Sequence, residues 1–389
     1  MPIYRPDGRI TDSEEIFKRH FPENRGKRVV GVTDMDYSMF DADLGILVFL
    51  EKLYDEKFWD FPVGIFRRLL MPLGYRRILF EGSKNMHPAT KESEGLDPAL
   101  CRLALDLADD LVSLYALIRK TLSGSTEDNR KSRVINEFAR KMLELDRIFL
   151  KLDGFLSKKF DGLLLMRTRF FAGMEKSEVG RLTGKVMSRT RESLDSVIPL
   201  GIYEENRTDA SQRVSAEEIA DAHGEESQFT EIDRIVTPIN DVSDFVRYAI
   251  QEAGIQTAIV TANLERIARS ATRRSVYHYM RRNGSTFIIG SRLRSEKQYL
   301  APDLAGKPVF GRKKAQEAVD FAVANRKVVG FAIGDNPNTD GPMLQIARAS
   351  GGIALVVGPD LESTKRRFHS TFNPQMFSDE NTYYITEGA

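Results

Sequence analysis

Cysteine is almost missing from these 389 residues: Cys101 is the only one. That excludes an intramolecular disulfide and fits a reducing compartment. Neither charge predominates. Lys plus Arg is 57 and Asp plus Glu is 56, a net charge of +1, which removes any bulk reason to expect a nucleic-acid or anionic-membrane partner. Long apolar runs are absent too. The longest, Leu44 to Leu50, falls far short of the ~20 residues that span a bilayer. The stretch MPIYRPDGRITDSEEIFKRHF has no apolar core of a secretory signal and no small-residue cleavage site, so the expectation is a cytoplasmic protein with no membrane partner. The five histidines are scattered without metal-ligand spacing, and neither a serine–histidine triad signature nor a glycine-rich nucleotide loop occurs.

What is present suits a folded chain. Hydrophobic residues make up 41% and charged residues 29%, which excludes disordered and collagen-like polymers, and the length suits two to three domains. Residues 28–34 (RVVGVTD) form a short apolar run that ends in a carboxylate, as a buried strand does. Similar runs recur at 257–261, 286–290, 328–334 and 352–358, separated by helical patterns such as 242–253 and 315–325. The segment 382–386 (TYYIT) reads as a further edge strand. Strands alternating with helices predict an α/β fold, a Rossmann-like three-layer core around a mostly parallel sheet.

Between the first strand and the others lies a long helical stretch. Leu100, Leu103, Leu107, Leu111, Leu114 and Leu117 form one apolar stripe, and Val134, Phe138, Met142, Leu145, Phe149 and Leu152 form another. Thr11–Glu14 and Ser215–Glu218 match capping boxes. The expected organisation is an α/β core from residues 1–40 and 231–389, with an all-helical cap, 41–230, inserted after the first strand.

The chemistry concentrates at strand ends. Asp34-Met-Asp36 follows the first strand and Gly334-Asp335-Asn-Pro-Asn-Thr-Asp340 follows a later one. Ligands bind beyond the carboxyl ends of strands in open α/β sheets. Two carboxylate pairs meeting at one sheet edge need a cation to offset their burial, and an oxygen-rich cluster suits Mg²⁺. Thr261 ends another strand, where its hydroxyl and the backbone N–H groups of Ala262 and Asn263 would face an anion at a helix N-terminus. Lys313 and Lys314 open the helix before Asp335. One of them could neutralise a phosphoryl group together with the nucleophile, and Lys314 is favoured because the apolar face of the helix begins directly after it.

Asp34-x-Asp36, then Thr261, then Lys314 or Lys313, then Gly-Asp335-x4-Asp340 resembles the haloacid dehalogenase superfamily of phosphohydrolases. The match covers about half the chain, residues 26–40 and 231–389. The insert after the first motif, Phe171-Ala-Gly-Met174, Asp340-Gly-Pro-Met-Leu344 and Ile289-Gly-Ser-Arg-Leu are similar to the phosphoserine phosphatase branch. Two departures are Ala262-Asn263 after Thr261, where that branch carries glycine, and a much longer insert. The resemblance implies a Mg²⁺-dependent hydrolase of a small phosphomonoester that forms an aspartyl-phosphate. Asp34 would be the nucleophile and Asp36 the acid and base. Asp34, the Asp36 carbonyl and Asp335 would hold the metal, with Asp340 acting through water or by orienting Asp335. Thr261 and the lysine would stabilise the phosphoryl oxygens. Asp43, nine positions after Asp34, occupies the place of an acidic residue that meets a substrate amine, and it equally suits a helix N-terminus.

Two other readings stay open: a fold of this kind serving as a scaffold or regulatory protein whose helical insert binds a partner, and a dehalogenase. Asp36 and Asp340 argue against the latter, which needs neither a leaving-group acid nor a metal. The aromatics Phe58, Trp59, Phe61 and Phe66, the arginines 67, 68, 76 and 77, and the basic run from Arg266 to Arg282 are expected to be packing and solvated surface.

Overall fold

The computed structural model describes residues 2–22, 28–53, 56–71, 73–84, 96–122, 128–156, 166–189, 236–278, 286–306, 308–372, 377 and 379–386. In chain order the strands are β1 (Ile3–Tyr4), β2 (Ile10–Thr11), β3 (Val29–Thr33), β4 (Gln256–Leu264), β5 (Thr286–Ser291), β6 (Leu293–Glu296), β7 (Tyr299–Leu304), β8 (Val328–Gly334), β9 (Ile353–Gly358) and β10 (Thr382–Thr386). β6 and β7 pair as a separate hairpin, and the others form one sheet in the order β2-β1-β10-β9-β8-β3-β4-β5. From β10 to β5 every neighbouring pair is parallel, while β1 and β2 add antiparallel strands at one end.

The helices are α1 (Ser13–His20), α2 (Leu44–Leu53), α3 (Val63–Leu70), α4 (Leu73–Ser83), α5 (Pro98–Leu122), α6 (Asp128–Leu156), α7 (Met166–Arg169), α8 (Lys176–Met187), α9 (Asn240–Gln251), α10 (Glu265–Arg273), α11 (Arg312–Ala324), α12 (Gly341–Ala349) and α13 (Leu361–Thr371). Side chains alternate across each strand, so the sheet feeds two cores. Val30, Val32, Ala332 and Val356 join Phe321, Leu344 and Phe368 of α11–α13. Phe331, Ile333 and Leu355 face the other way, toward Phe17, Phe245 and Ile267 of α1, α9 and α10. The result is the expected three-layer α/β architecture. Among the described residues, no helix is long and apolar enough to cross a membrane.

Helices α2 to α8 lie between β3 and β4. The chain enters and leaves this region through a paired neck: Ile239 N donates to Met39 O at 3.0 Å, and Asp41 N to Thr237 O at 3.1 Å. The buried Tyr277 hydroxyl donates to Met39 O at 2.9 Å and braces the neck. The apolar run Leu44 to Leu50 becomes α2, buried on nearly all sides, as a helix apolar all round must be. It packs against both α8 and β4.

Several expectations are corrected. β10 is not an edge strand, because β1 pairs with it and β2 with β1; the Asp7-Gly8 turn, with Gly8 at φ 83°, was the available signal. The N-cap of α1 is Asp12, one residue later than the expected box, and its side chain accepts from Glu15 N at 2.7 Å. Ser215–Glu218 lies outside the described residues. On α5 the buried line joins Leu107 and Leu111 of the leucine stripe to Cys101, Ala104, Ala108, Tyr115 and Ile118, with Leu100, Leu103 and Leu114 partly buried against the core; only Leu117 departs, half exposed. Leucine counting overlooks the small residues of this line, of which Cys101 meets α4 at Gly82, where a Cβ would lie 2.9 Å from its Sγ. The aromatics do pack: Phe66 stacks on Tyr115 at 3.9 Å, and Phe58 meets Trp59 edge-on at 4.8 Å. Arg76 forms a two-pronged pair with Asp109 at 2.8 and 2.9 Å.

Candidate active site

From β3 the sheet winds outward in both directions, through β4 to β5 on one side and through β8 and β9 to β10 on the other. The junction between β3 and β8 is therefore a topological switch point, where α/β sheets open a crevice at the strands' carboxyl ends. Asp34 directly follows β3, its N–H donating to Ile333 O at 2.9 Å, and Asp335 directly follows β8. The strand pattern thus delivers both carboxylates to one edge.

Lys314, in the first turn of α11, is buried. Its Nζ lies 2.7 Å from Asp34 Oδ1 and 2.6 Å from Asp340 Oδ1. Lys313 points away and pairs with Glu317 at 2.7 Å on the helix surface, so the structure places Lys314 alone of the two in the cluster. Asp340 is fully buried. Besides Lys314, its oxygens accept from Thr339 Oγ1 and from the backbone N–H groups of Asp335 and Asn336, each at 3.1 Å. Asp340 therefore ties the loop after β8 to α11. Gly334 makes room for it, since a Cβ there would lie 2.5 Å from the Asp340 Cβ.

One carboxylate oxygen from each of Asp34, Asp335 and Asp340 lies within 4.8 Å of the others. Burial raises the Asp34 carboxyl to about 7, helped by the negative field of Asp340 and opposed by Lys314. Burial, with Asp340 and Asp34 nearby, also lifts Asp335 well above the carboxylate range. Burial, with Asp43 and Asp34, does the same to Asp36. Burial opposes charge on Lys314, but the two aspartates outweigh it and raise its pKa. The cluster is short of positive charge, and a hard divalent cation among these oxygens would supply it.

Asp36 faces a different set of donors. Its Oδ1 accepts from Leu44 N at 3.0 Å, at the start of α2, and its Oδ2 accepts from the side-chain amide of Asn263. Thr261 is fully buried and its Oγ1 accepts from Asn263 N at 3.2 Å. The helix expected directly after Thr261 begins only at Glu265, because β4 continues through a bulge. Thr261 pairs with Gly290 and Leu264 with Ser291, which leaves Ala262 and Asn263 as extra residues. Asp43 Oδ1 accepts from Ile46 N at 2.9 Å, a cap of the first turn of α2.

No family model matches the chain, and no curated protein matches it. Among solved structures it is similar to a conserved functionally unknown protein from Anaerococcus prevotii DSM 20548, with a TM-score of 0.54 and 13% identity over 97% of this chain and 94% of that one. This likeness shows the fold. A structure of cytosolic 5'-nucleotidase IIIB bound to cytidine aligns at a TM-score of 0.38 and 12% identity, over 97% of this chain and 86% of that one, too low to carry an argument.

Three contacts escaped the sequence reading. Ser38 Oγ donates to Asp335 Oδ1 at 3.3 Å, joining the loops after β3 and β8. Arg367 on α13 donates to the Asp335 carbonyl at 2.8 Å. The Asn263 side chain reaches Asp36, whereas the sequence marks only its backbone N–H. Ser38 lies beside the Asp34-x-Asp36 motif and could have been singled out; nothing local marks Arg367. In the basic run, Arg266 donates to Lys176 O at 2.9 Å and Arg269 pairs with Glu265 at 2.5 Å. Arg281 and Arg282 lie outside the described residues.

Proposed function

We propose that the chain is a phosphatase of the haloacid dehalogenase type, hydrolysing a small-molecule phosphomonoester with Mg²⁺ through an aspartyl-phosphate on Asp34. The observation that carries the reading is the buried Lys314 bridging Asp34 and Asp340 beside Asp335, at the switch point of a sheet interrupted by helices after β3. Asp34 and Asp335, with the Asp36 carbonyl, would hold the metal, and Asp340 would orient Asp335. The metal supplies charge that lets a phosphate dianion approach a carboxylate.

The chain's own residues do the rest. Asp34 attacks phosphorus, and the ester oxygen leaves as the P–O bond breaks. Asp36, whose carboxyl burial and the nearby Asp43 and Asp34 hold above its usual range, gives its proton to that oxygen, then takes one from the water that hydrolyses the acyl phosphate. Acid–base help of this kind is worth about 10²–10⁴-fold. Lys314 and Thr261 meet the phosphoryl oxygens, where phosphoryl transfer is governed by positioning and charge. Asp43 is the candidate contact for an amine on the substrate.

The test is a panel of phosphomonoesters assayed with Mg²⁺ and with EDTA. Mg²⁺-dependent turnover of at least one ester is expected, abolished in Asp34→Asn with its circular dichroism unchanged. Near-native turnover by that variant removes Asp34 as nucleophile. Silence across the panel favours the scaffold reading, and EDTA-insensitive release of halide from a 2-haloacid assayed beside it favours the dehalogenase.

A further inference from the structure

Asn263 stands where the resemblance expects glycine, and two glycines elsewhere make room for it. A Cβ on Gly290 would lie 2.9 Å from Asn263 O and 2.8 Å from Glu265 N, so the β4 bulge closes over bare backbone. A Cβ on Gly45 would lie 1.8 Å from Asn263 Oδ1. Gly45 is the second residue of α2. Gly290 thus yields space to the backbone of the bulge that carries Asn263, and Gly45 to its amide side chain.

That amide is spent on Asp36. Asp36 Oδ2 accepts from Asn263 and Oδ1 from Leu44 N. The Leu44 amide is one of the first-turn donors for which a helix has no internal partner. One donor on each oxygen sets the plane of the carboxyl group and stops it turning about its last torsion. Each oxygen keeps a second lone-pair direction, on which a proton can be carried.

We infer that Asn263 is a positioning residue, which acts through Asp36 by holding its carboxyl group at the angle from which it protonates the leaving group, and that its side chain is not a phosphate ligand. The inference rests on the proposed phosphatase reading. Its specific consequence concerns the leaving group: an alkoxide needs a proton as the P–O bond breaks, whereas p-nitrophenolate departs without one. Loss of Asn263 should therefore harm alkyl esters selectively.

The experiment compares kcat/KM for p-nitrophenyl phosphate and for an alkyl phosphate turned over by the native protein, in Asn263→Ala and in Gly45→Ala. The expected result for Asn263→Ala is a ~10–100-fold loss on the alkyl ester, the size seen when an orienting partner is removed, and a loss of less than about threefold on the aryl ester. Gly45→Ala, which displaces the amide without deleting it, should show the same selectivity. Equal losses on both esters would make Asn263 a phosphate ligand, and no loss on either would leave it without a positioning role; both overturn the inference. Hydrogen exchange at the Leu44 amide in metal-free protein gives a reading that needs no turnover. Exchange should quicken in Asn263→Ala as Asp36 loosens, and an unchanged rate overturns the inference. If the native protein hydrolyses neither ester, the phosphatase reading fails by itself, and the exchange measurement still decides whether Asn263 holds Asp36.

Discussion

Lys314 is where the buried charge of the site is partly balanced. It sits between Asp34 and Asp340 at 2.7 and 2.6 Å, out of water, where an ion pair is strong only while it stays complete. Lys314→Met leaves two carboxylates facing each other in a low-dielectric pocket, and breaking a buried pair in this way costs about 3–5 kcal/mol. Urea unfolding should show that loss, together with loss of any phosphatase turnover. Lys313→Ala removes only a surface pair with Glu317 and should stay within about 0.5 kcal/mol. The lysine pair was legible as a candidate from its place before β8. The choice between them follows from the helical phase of α11, because Lys314 continues the buried face of Ala315 and Ala318.

Elements dock here through close backbone approach. At the start of β9, a Cβ on Gly352 would lie 2.2 Å from the carbonyl oxygen of Gly330, and backbone cannot rotate away as a side chain can. Gly352→Ala should therefore destabilise by ~1–3 kcal/mol, the usual range for overpacking, read as a lower urea midpoint at unchanged slope. Gly64 and Gly74, in α3 and α4, meet nothing within 4 Å. Alanine at either should be neutral or stabilising, by up to about 1 kcal/mol. The apolar runs for β3, β8 and β9 were plain in the sequence because both sheet faces are covered and every residue must be apolar. The β6–β7 hairpin was not: its strands are short and β6 is exposed beyond Leu293, so they carry no such pattern. The bulge in β4 was equally hidden, since Ala262 and Asn263 are extra only by reference to β5.

The whole molecule is tuned by the protonation of its acidic cluster. In the folded, metal-free protein Asp34 titrates near 7, with Asp36 and Asp335 also raised, whereas in the unfolded chain aspartate titrates near about 3.9. The folded state then binds more protons between those values. Stability from these groups is complete below about pH 4 and is lost as pH rises through about 7. In EDTA, the melting temperature should fall between about pH 5 and pH 8, and fall less in Asp34→Asn. A cation that binds only the folded cluster works against this loss, contributing about 2.7 kcal/mol at one hundred times its dissociation constant. Mg²⁺ should therefore raise the melting temperature most at the alkaline end, and the rise should shrink in Asp335→Asn.

Carboxylates placed at the ends of apolar strands, separated by helices and interrupted by a long helical stretch, could be read from the chain alone. Those signals are local: each needs only the residues on either side of it. Which donors face Asp36, how Ser38 and Arg367 reach Asp335, and how deeply Lys314 is sealed between two aspartates were decided by tertiary structure. Register shifts, helix phase and close contacts between segments hundreds of residues apart set those distances, and one residue of slip in β4 or α11 would turn the same side chains toward different partners.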